Sequence, residues 1–366
     1  MRKGFMRWDP AEITREALAA RAGKLQAEMK KAGLDGMVMY TNFVRPSAVC
    51  YYTAFTPYWN DAILLLPRTG KPVFATALSK RVSGWINSVK PVGELVNTPL
   101  PGKVIGERLK AEAGVRRVGI LEYDMLPMGI FEDLAAGAPG IEFVDGTETY
   151  MTARRGIDAT EAALLANSNT LATEGLSKVA ANPESVGAAL GPIEQFVRLN
   201  GGEEIYMGIA RDLDKDRRLI RLSGPDPLGE RFAVRASTSY KGAWVRRTRT
   251  YDKAVNAQEP LRRADEWLTA LLRAIRPGAS LGKQIADAVA KLPNAKLAGW
   301  MAESCVGTYP LAVIASQDAA DFQPADGSLL VLTVELTIDG RPWIGAAPIV
   351  VGQEVFTSVA LSRPAA

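Results

Sequence analysis

The sequence predicts two domains, an α/β domain over residues 1–150 followed by an α+β domain over residues 151–366. Three observations support this division. A chain of 366 residues exceeds the usual size of a single core. Its first half alternates helical periodicity with short apolar runs that are typical of buried strands. Its second half begins with two helices and then contains two hairpin patterns with further helices between them, as expected for an antiparallel sheet covered by helices.

In the first domain, a helix is predicted to begin at Asp9, because Asp9-Pro10 combines a capping residue with a proline suited to the first helical turn. Apolar residues then recur at helical spacing up to a terminating glycine, at Leu18, Ala22, Leu25, Met29 and Gly33. Strands are predicted in GLDGMVMYT, AILLLP, PVFAT, RRVGILEYD and IEFVDGT, with a helix in VIGERLKAEA.

In the second domain, Asp158 and Glu161 form a capping-box signature for a long helix, and a second helix spans about 184–199. An Asp339-Gly340 pair between two apolar runs predicts a tight hairpin. The remaining predicted elements are strands at 232–238 and 243–251, helices at 256–275 and 280–291, and strands at 328–337 and 342–351.

The composition narrows the class of protein. A net charge of +4 without a clustered basic face argues against a nucleic-acid partner. No apolar stretch reaches about eighteen residues, so no membrane span is predicted. The start MRKGFMRWDP lacks the apolar run of a signal peptide. Only two cysteines are present, without metal-binding spacing, which is compatible with a reducing compartment. We therefore expect a cytoplasmic protein without membrane or nucleic-acid partners.

The chain contains no histidine. This absence excludes Ser-His-Asp and Cys-His catalysis within the chain and removes the commonest metal ligand in proteins. Any chemistry must use the remaining polar and ionisable side chains.

The stretch FAVRASTSYKGAWVRRTRTY, residues 232–251, is a predicted hairpin with an excess of arginine. Symmetric pairing about a turn near Tyr240-Lys241-Gly242 would place Arg235 opposite Arg246. Like charges in opposite positions repel each other. Such a pair would be tolerated if an anion, either a carboxylate of the chain or a bound ligand, lay between the two guanidinium groups.

These segments together resemble the creatinase/prolidase/aminopeptidase P superfamily, whose catalytic domain has the pita-bread fold. The first half is similar to its N-terminal domain through LQAEMKKAGLDGMVMYT, YYTAF and AILLLPRTGKPVFAT. The second half is similar through RRGIDATEAALLANSNTLATEG, SYKGAWVRRTRTY, LLRAIRPGASLGKQIADAV and GSLLVLTVELTIDGRPWIGAAPIVV. The resemblance implies a creatinase-like N-terminal domain, a pita-bread C-terminal domain and a homodimer.

The resemblance also implies positions for the two Asp, one His and two Glu that hold two metal ions in this family. The two Asp fall on Arg235 and Arg246, and the His falls on Ser304 or Cys305. The first Glu falls on Glu335, and the last falls near Ala346. Because one of five ligands remains, we expect neither a metal site nor any other cofactor.

The predicted site residues follow from this alignment. Arg235, Arg246, Arg249 and Tyr309 are expected to bind a small anionic ligand, with Glu303 and Tyr309 lining the cleft. Glu335 is the candidate acid or base, and Cys305 is the candidate nucleophile. The structural alternative is a buried Arg–Glu–Arg triad of Arg235, Glu335 and Arg246.

The sequence is compatible with two functions. One is a metal-independent, creatinase-like hydrolase or lyase that acts on a C–N bond of a carboxylate-bearing molecule. The other is a pseudoenzyme that keeps the fold and serves as a small-ligand binding or scaffold protein. An active metallopeptidase ranks last, because Asp252, Asp265 and Asp318 do not offer an alternative ligand spacing.

Overall fold

A computed structural model describes residues 9–42, 47–55, 60–89, 93–304, 312–319 and 321–356 of the chain. The chain divides into two compact units, with the boundary between Thr160 and Glu161. In the described part of the chain, no helix combines the length and the apolar character that crossing a membrane requires.

The first unit is built around a six-stranded mixed sheet with the strand order β4-β3-β2-β1-β5-β6. Strands β1, β2 and β3 pair in antiparallel fashion, whereas β4, β5 and β6 each join the sheet through a parallel pair. The strands are β1 (Gly36–Thr41), β2 (Ala62–Pro67), β3 (Val73–Thr76), β4 (Glu94–Asn97), β5 (Arg117–Ile120) and β6 (Glu142–Asp145). The helices are α1 (Arg15–Lys31), α2 (Ser47–Thr53), α3 (Ser83–Val89), α4 (Pro101–Ala111), α5 (Met128–Gly137) and α6 (Thr147–Ala153).

Helix α1 confirms the predicted apolar stripe but not its predicted start. Leu18, Leu25 and Met29 are buried, and the chain leaves the helix through Gly33 at a φ of 67°. The helix begins after Thr14, whose Oγ1 accepts a hydrogen bond from the backbone N–H of Ala17 at 3.0 Å. Asp9 instead accepts from the N–H of Ala11 at 3.0 Å and forms a separate turn. The prediction of a start at Asp9 was wrong because Thr14 also carries a side-chain oxygen that can cap a helix, and the chain uses this later residue.

The second unit contains a seven-stranded antiparallel sheet with the strand order β11-β10-β12-β13-β9-β8-β7. Both predicted hairpins and the four predicted helices are present, with ends that differ by a few residues. The strands are β7 (Glu204–Ala210), β8 (Arg231–Tyr240), β9 (Ala243–Asp252), β10 (Ala295–Ser304), β11 (Ala312–Ser316), β12 (Leu329–Ile338) and β13 (Arg341–Val350). The helices are α7 (Ala159–Leu176), α8 (Val186–Leu199), α9 (Gln258–Ala274) and α10 (Leu281–Val289).

The two faces of this sheet differ in chemistry. Successive side chains of a strand point to opposite faces, so each strand contributes alternate residues to each face. One set of alternate residues, which includes Val234 and Ala236 of β8 and Leu332 and Val334 of β12, packs into apolar cores with the helices. We call this side the helix face. The other side carries Arg235 and is called the arginine face.

The sheet is joined at its centre by very little backbone pairing. Strands β12 and β13 share ten register pairs, whereas β13 and β9 share one, between Ala346 and Thr248. On one side of that pair, the hydroxyl of Thr250 bridges the strands: it accepts from the N–H of Ile344 at 2.9 Å and donates to the C=O of Ile344 at 2.8 Å. We call this junction the seam, defined by β9 residues 246–252 and β13 residues 342–350.

A buried charge cluster fastens the same end of the seam. The carboxylate of Asp252 on β9 accepts from Arg231 Nε at 2.7 Å and from Arg341 Nη1 at 2.7 Å. Arg231 also donates to the C=O of Pro342 at 3.1 Å. Because Arg231, Asp252 and Arg341 begin or end three strands, the cluster fixes both hairpins relative to each other.

The tip of the β8–β9 hairpin predicts an unusual pH dependence. The carboxylate of Glu203 accepts from the N–H of Gly242 at 3.1 Å, and burial raises the pKa of Glu203 to about 8. Between about pH 4.5 and 8 the folded protein therefore holds a proton that the unfolded chain releases, so this group's contribution to stability falls as pH rises.

Replacing Glu203 with glutamine should remove this pH dependence. We expect the Tm of Glu203→Gln, relative to the Tm of wild type, to rise by about 5 °C or more when the pH is raised from 5 to 8.5. Glu194→Gln, at an exposed helical position, is the control and should show no such gain. An unchanged difference between the Glu203→Gln and wild-type curves would contradict the assignment.

Candidate functional site

The β8–β9 hairpin has a two-residue turn at Lys241-Gly242, and this turn sets its register. Both residues have positive φ angles, 48° and 80°, as tight hairpin turns require. Tyr240 therefore pairs with Ala243, and Arg231 pairs with Asp252. The predicted register was wrong by two residues, because it centred the hairpin one residue too early.

Arg235 and Arg246 are consequently diagonal neighbours and do not lie opposite each other. Arg235 pairs with Thr248, and Arg246 pairs with Ser237. All four side chains point to the arginine face, since paired residues share a face. Diagonal neighbours have Cα atoms about 7–8 Å apart, which keeps the two guanidinium groups close without direct opposition.

Arg246 is held by two partners on the arginine face. Its Nε donates to Ser237 Oγ at 2.9 Å, and its Nη1 donates to Oε1 of Glu303 on β10. Glu303 is only 3% exposed. Its second carboxylate oxygen, Oε2, is buried and has no hydrogen-bond partner among the described residues. A buried ionised oxygen without a partner is costly, so this atom is suited to accept from a bound molecule.

Arg235 has weaker partners than Arg246. Its Nη2 donates one long hydrogen bond, 3.4 Å, to the C=O of Leu219. The guanidinium lies over Gly208, where a Cβ atom would come within 3.1 Å of Nη2. Burial and then the charge of Arg246 lower the pKa of Arg235, and Glu303 opposes this effect. The cation of Arg235 is thus only partly compensated.

Thr248 adds a further polar atom beside Arg235. Its hydroxyl is buried and, among the described residues, has no hydrogen-bond partner. Thr248 also pairs with Ala346, the position at which the resemblance implied a metal-binding Glu. Two guanidinium groups, one carboxylate and one hydroxyl therefore share this part of the arginine face, and the positive charge is in excess by one.

Glu335 lies on the arginine face but outside this group. It pairs with Ile344 and Gly299, whereas Glu303 pairs with Val331. Glu335 is four residues along β12 from Val331, which corresponds to about 13 Å of strand. The carboxylate closest to the arginines is therefore Glu303, and the expected triad through Glu335 is not formed. The role of Glu335 as acid or base stays a prediction.

Arg249 is separated from the other two arginines by the sheet. It pairs with Val234, which belongs to the helix face, and it forms an ion pair with Asp265 of α9 at 3.7 Å. The structure therefore does not bring Arg249 together with Arg235 and Arg246, because an odd separation along a strand reverses the face. Ligand binding by Arg249 stays a prediction.

The resemblance implied Ser304 or Cys305 at the position of the family's metal-binding histidine. Ser304 pairs with Leu330, a residue of the helix-face core, so Ser304 points away from the arginines. Cys305 and Tyr309 lie outside the described residues. From the sequence, Glu303 was predicted only to line the cleft. Its ion pair with Arg246 depends on the register of β10 against β12, which contains an irregularity between Leu297 and Gly299.

The side chains at the expected ligand positions do not fit a dinuclear metal centre. Within the described ranges, no three His, Cys, Asp or Glu side chains come together in an arrangement that could hold a metal ion. Arg235 and Arg246 offer N–H donors and positive charge, and divalent cations require the opposite.

Known proteins resemble this chain at two levels. Residues 21–155 match the family model described as Creatinase/Prolidase N-terminal domain. No curated protein sequence matches the chain. The X-Pro aminopeptidase from Thermotoga maritima MSB8 has a TM-score of 0.72 at 11% identity, covering 93% of this chain and 98% of its own. The Xaa-Pro dipeptidase from Bacillus anthracis has a TM-score of 0.68 at 15% identity, with the same coverage. The prolidase from Pyrococcus horikoshii OT3 gives 0.68 at 14% identity, also with that coverage.

The two units are thus a creatinase-type N-terminal domain and a pita-bread-like C-terminal domain. The family match covers residues 21–155, and the likeness of the whole chain to prolidases and aminopeptidases is one of fold.

Proposed function

We propose that this protein binds a small carboxylate-bearing molecule on the arginine face, at the position where related folds would hold metal ions. The observation that carries this proposal is the arrangement of Arg235 beside the Arg246–Glu303 ion pair. One carboxylate serves two guanidinium groups, so a ligand anion would complete the charge balance.

The remaining polar atoms favour a ligand that also carries a hydrogen-bond donor. Glu303 Oε2 can only accept while it is ionised, and the hydroxyl of Thr248 can accept or donate. A ligand with a carboxylate for Arg235 and an N–H group for Glu303 would satisfy both sides of the site. Molecules with a nitrogen near a carboxylate meet this requirement.

Catalysis is the second candidate. Glu303 Oε2 is a carboxylate oxygen that can take up a proton from a bound molecule, and Arg235 could stabilise developing negative charge. Together these groups are compatible with a metal-independent reaction at a C–N bond. Glu335, the other carboxylate that we consider on this face, is the second candidate for the acid or base. If neither carboxylate supports turnover, the protein is a pseudoenzyme with a binding function.

Anion binding can be measured by thermal unfolding in the presence of creatine, succinate and inorganic phosphate. We expect at least one of the two carboxylates to raise Tm in a saturable manner, by about 5–10 °C at a hundredfold excess over Kd. Arg235→Gln should abolish this rise. The variant should remain folded, because burial and Arg246 already disfavour the charge at this position.

Arg218→Gln is the matched control, since this arginine has an 81% exposed side chain elsewhere in the second unit. The proposal fails if Arg235→Gln and Arg218→Gln respond equally to the ligand. Metal analysis provides an independent check, and two stoichiometric divalent ions per purified chain would contradict the expectation that the chain holds no metal centre. Turnover of a stabilising ligand, compared between wild type, Glu335→Gln and Glu303→Gln, separates an enzyme from a pseudoenzyme.

A further inference from the structure

A cavity lies at the end of the seam that the Asp252 cluster does not fasten. Helix-face residues form most of its wall, and Thr248 and Ala346 of the register pair also line it. Its volume is about 350 Å³, which falls in the range of small-molecule sites. It is bounded by β9, by β13, by helix α9 and by the chain that follows β13 up to Phe356.

The cavity lies where β9 and β13 share no further backbone register pairs. Their single register pair is Ala346 with Thr248. Past this pair, Ala347 to Val350 of β13 and Arg247 of β9 line the cavity. Space between two strands of one sheet is unusual, because strands normally close up through backbone hydrogen bonds.

The cavity is rich in positive charge. Arg247, Arg249, Arg273 and Arg276 contribute to its lining, whereas Asp265 and Glu354 are the two carboxylates in it. Four cations against two anions leave a surplus of two positive charges. Arg247 and Arg249 point to the helix face, because they pair with Ala236 and Val234 of the helix-face core.

Arg247 is the most informative of these cations. Its Nε donates to the neutral side-chain oxygen of Asn169 at 2.7 Å, so this hydrogen bond leaves the charge uncompensated. Burial lowers the pKa of Arg247 to about 10, and Asp265 opposes this shift only in part. Burial also raises the pKa of Asp265 to about 6, so this carboxylate is itself held in an unfavourable environment.

The rest of the wall is apolar. Leu268 and Leu272 of α9, Ile275 after it, Ile349 of β13 and Phe356 face the same space. A site with cations and an extended apolar wall suits a molecule with an anionic head and an apolar body.

We propose that this cavity is a second binding site, separate from the group of Arg235, Arg246 and Glu303, for a small organic anion with an apolar body, such as a medium-chain or aromatic carboxylate. The carboxylate pairs with Arg247 and neighbouring arginines, and the apolar body packs against α9 and β13.

Titration calorimetry of the full chain with octanoate tests the proposal. We expect one site per chain, and binding of 1-octanol, which lacks the charge, should be at least tenfold weaker. Arg247→Gln should weaken octanoate binding about tenfold or more. Arg273→Gln, at an exposed position that also lines the cavity, should weaken octanoate binding severalfold and keeps the test decisive if Arg247→Gln fails to fold.

Two further variants make the result unambiguous. Arg235→Gln, on the arginine face, should leave octanoate binding unchanged, so failure of this proposal is distinguishable from failure of the proposed function. A chain ending at Phe356 should bind octanoate as the full chain does. The proposal is overturned if the full chain does not bind octanoate, if octanol binds equally well, or if only the shortened chain binds. In the last case, residues 357–366 would occupy the cavity themselves.

Discussion

Replacing Glu303 with glutamine should lower the free energy of unfolding by about 3–5 kcal/mol, because it leaves two neighbouring guanidinium groups without a carboxylate. The side chains of Glu303 and Arg246 are only 5% and 15% exposed, so water can replace little of the lost interaction. Arg246→Met should cost less, since Arg235 remains close enough to interact with Glu303. Urea unfolding of the two variants measures the asymmetry.

The matched control for this prediction is Glu259→Gln. Glu259 forms an exposed ion pair with Arg262, with side chains 60% and 56% exposed, and its replacement should leave the free energy of unfolding nearly unchanged. Phosphate should recover part of the stability of Glu303→Gln, because an anion can take the place of the missing carboxylate. A loss for Glu303→Gln no larger than the control would show that the pair is not important for the fold.

Asp252→Asn should also destabilise the second unit strongly, by about 3–5 kcal/mol. The Asp252 side chain is fully buried, and the substitution keeps its size while removing the charge that faces both Arg231 and Arg341. Its Oδ1 also accepts from the N–H of Ala254 at 2.9 Å, and that hydrogen bond can persist in asparagine. The predicted loss therefore reports on the charge and on the acceptor oxygen Oδ2, to which both arginines donate, rather than on shape.

Asp214→Asn is the control for this second prediction. Asp214 contacts Arg341 as well, at 2.7 Å, but its side chain is 43% exposed and that of Arg341 is 36% exposed. Its removal should cost less than about 1 kcal/mol. Thermal and urea unfolding of the two asparagine variants should therefore differ clearly, and similar curves would mean that burial of Asp252 does not govern its contribution.

The elements of this fold could be predicted from local chemistry because each carries its own signal. The Asp339-Gly340 turn is an example: both residues have positive φ angles, 49° and 80°, and Ile338 pairs with Arg341 as the predicted hairpin requires. The apolar stripe of α1 is another, since its spacing alone identifies Leu18, Leu25 and Met29 as buried. In both cases the residues that decide the structure are close together in the sequence.

The site was less predictable because it depends on which residues face each other across strands. The Lys241-Gly242 turn moved the register by two residues, which changed the partner of Arg235 from Arg246 to Thr248. The placement of Arg249 was in contrast readable from the sequence, because its separation of three residues from Arg246 along one strand puts it on the opposite face. Glu303 lies 57 residues from Arg246 in the sequence, and only the assembled sheet brings them together. No local pattern could identify this pair or the unpartnered oxygen of Glu303.

The seam also determines where the cost of assembling this sheet is concentrated. Strands within each hairpin are joined by two-residue turns, so their pairing orders very little intervening chain. Thr248 and Ala346 are 98 positions apart, since 346 minus 248 is 98, and only one backbone register pair joins β9 to β13. The entropy cost of closing a loop rises with the length of chain enclosed. Of the strand pairs in this sheet, β9 and β13 therefore have the largest entropy cost and the fewest register pairs. The hydrogen bonds of Thr250 and Asp252, and the apolar packing of Ile344 against Ala233, therefore have to offset this cost.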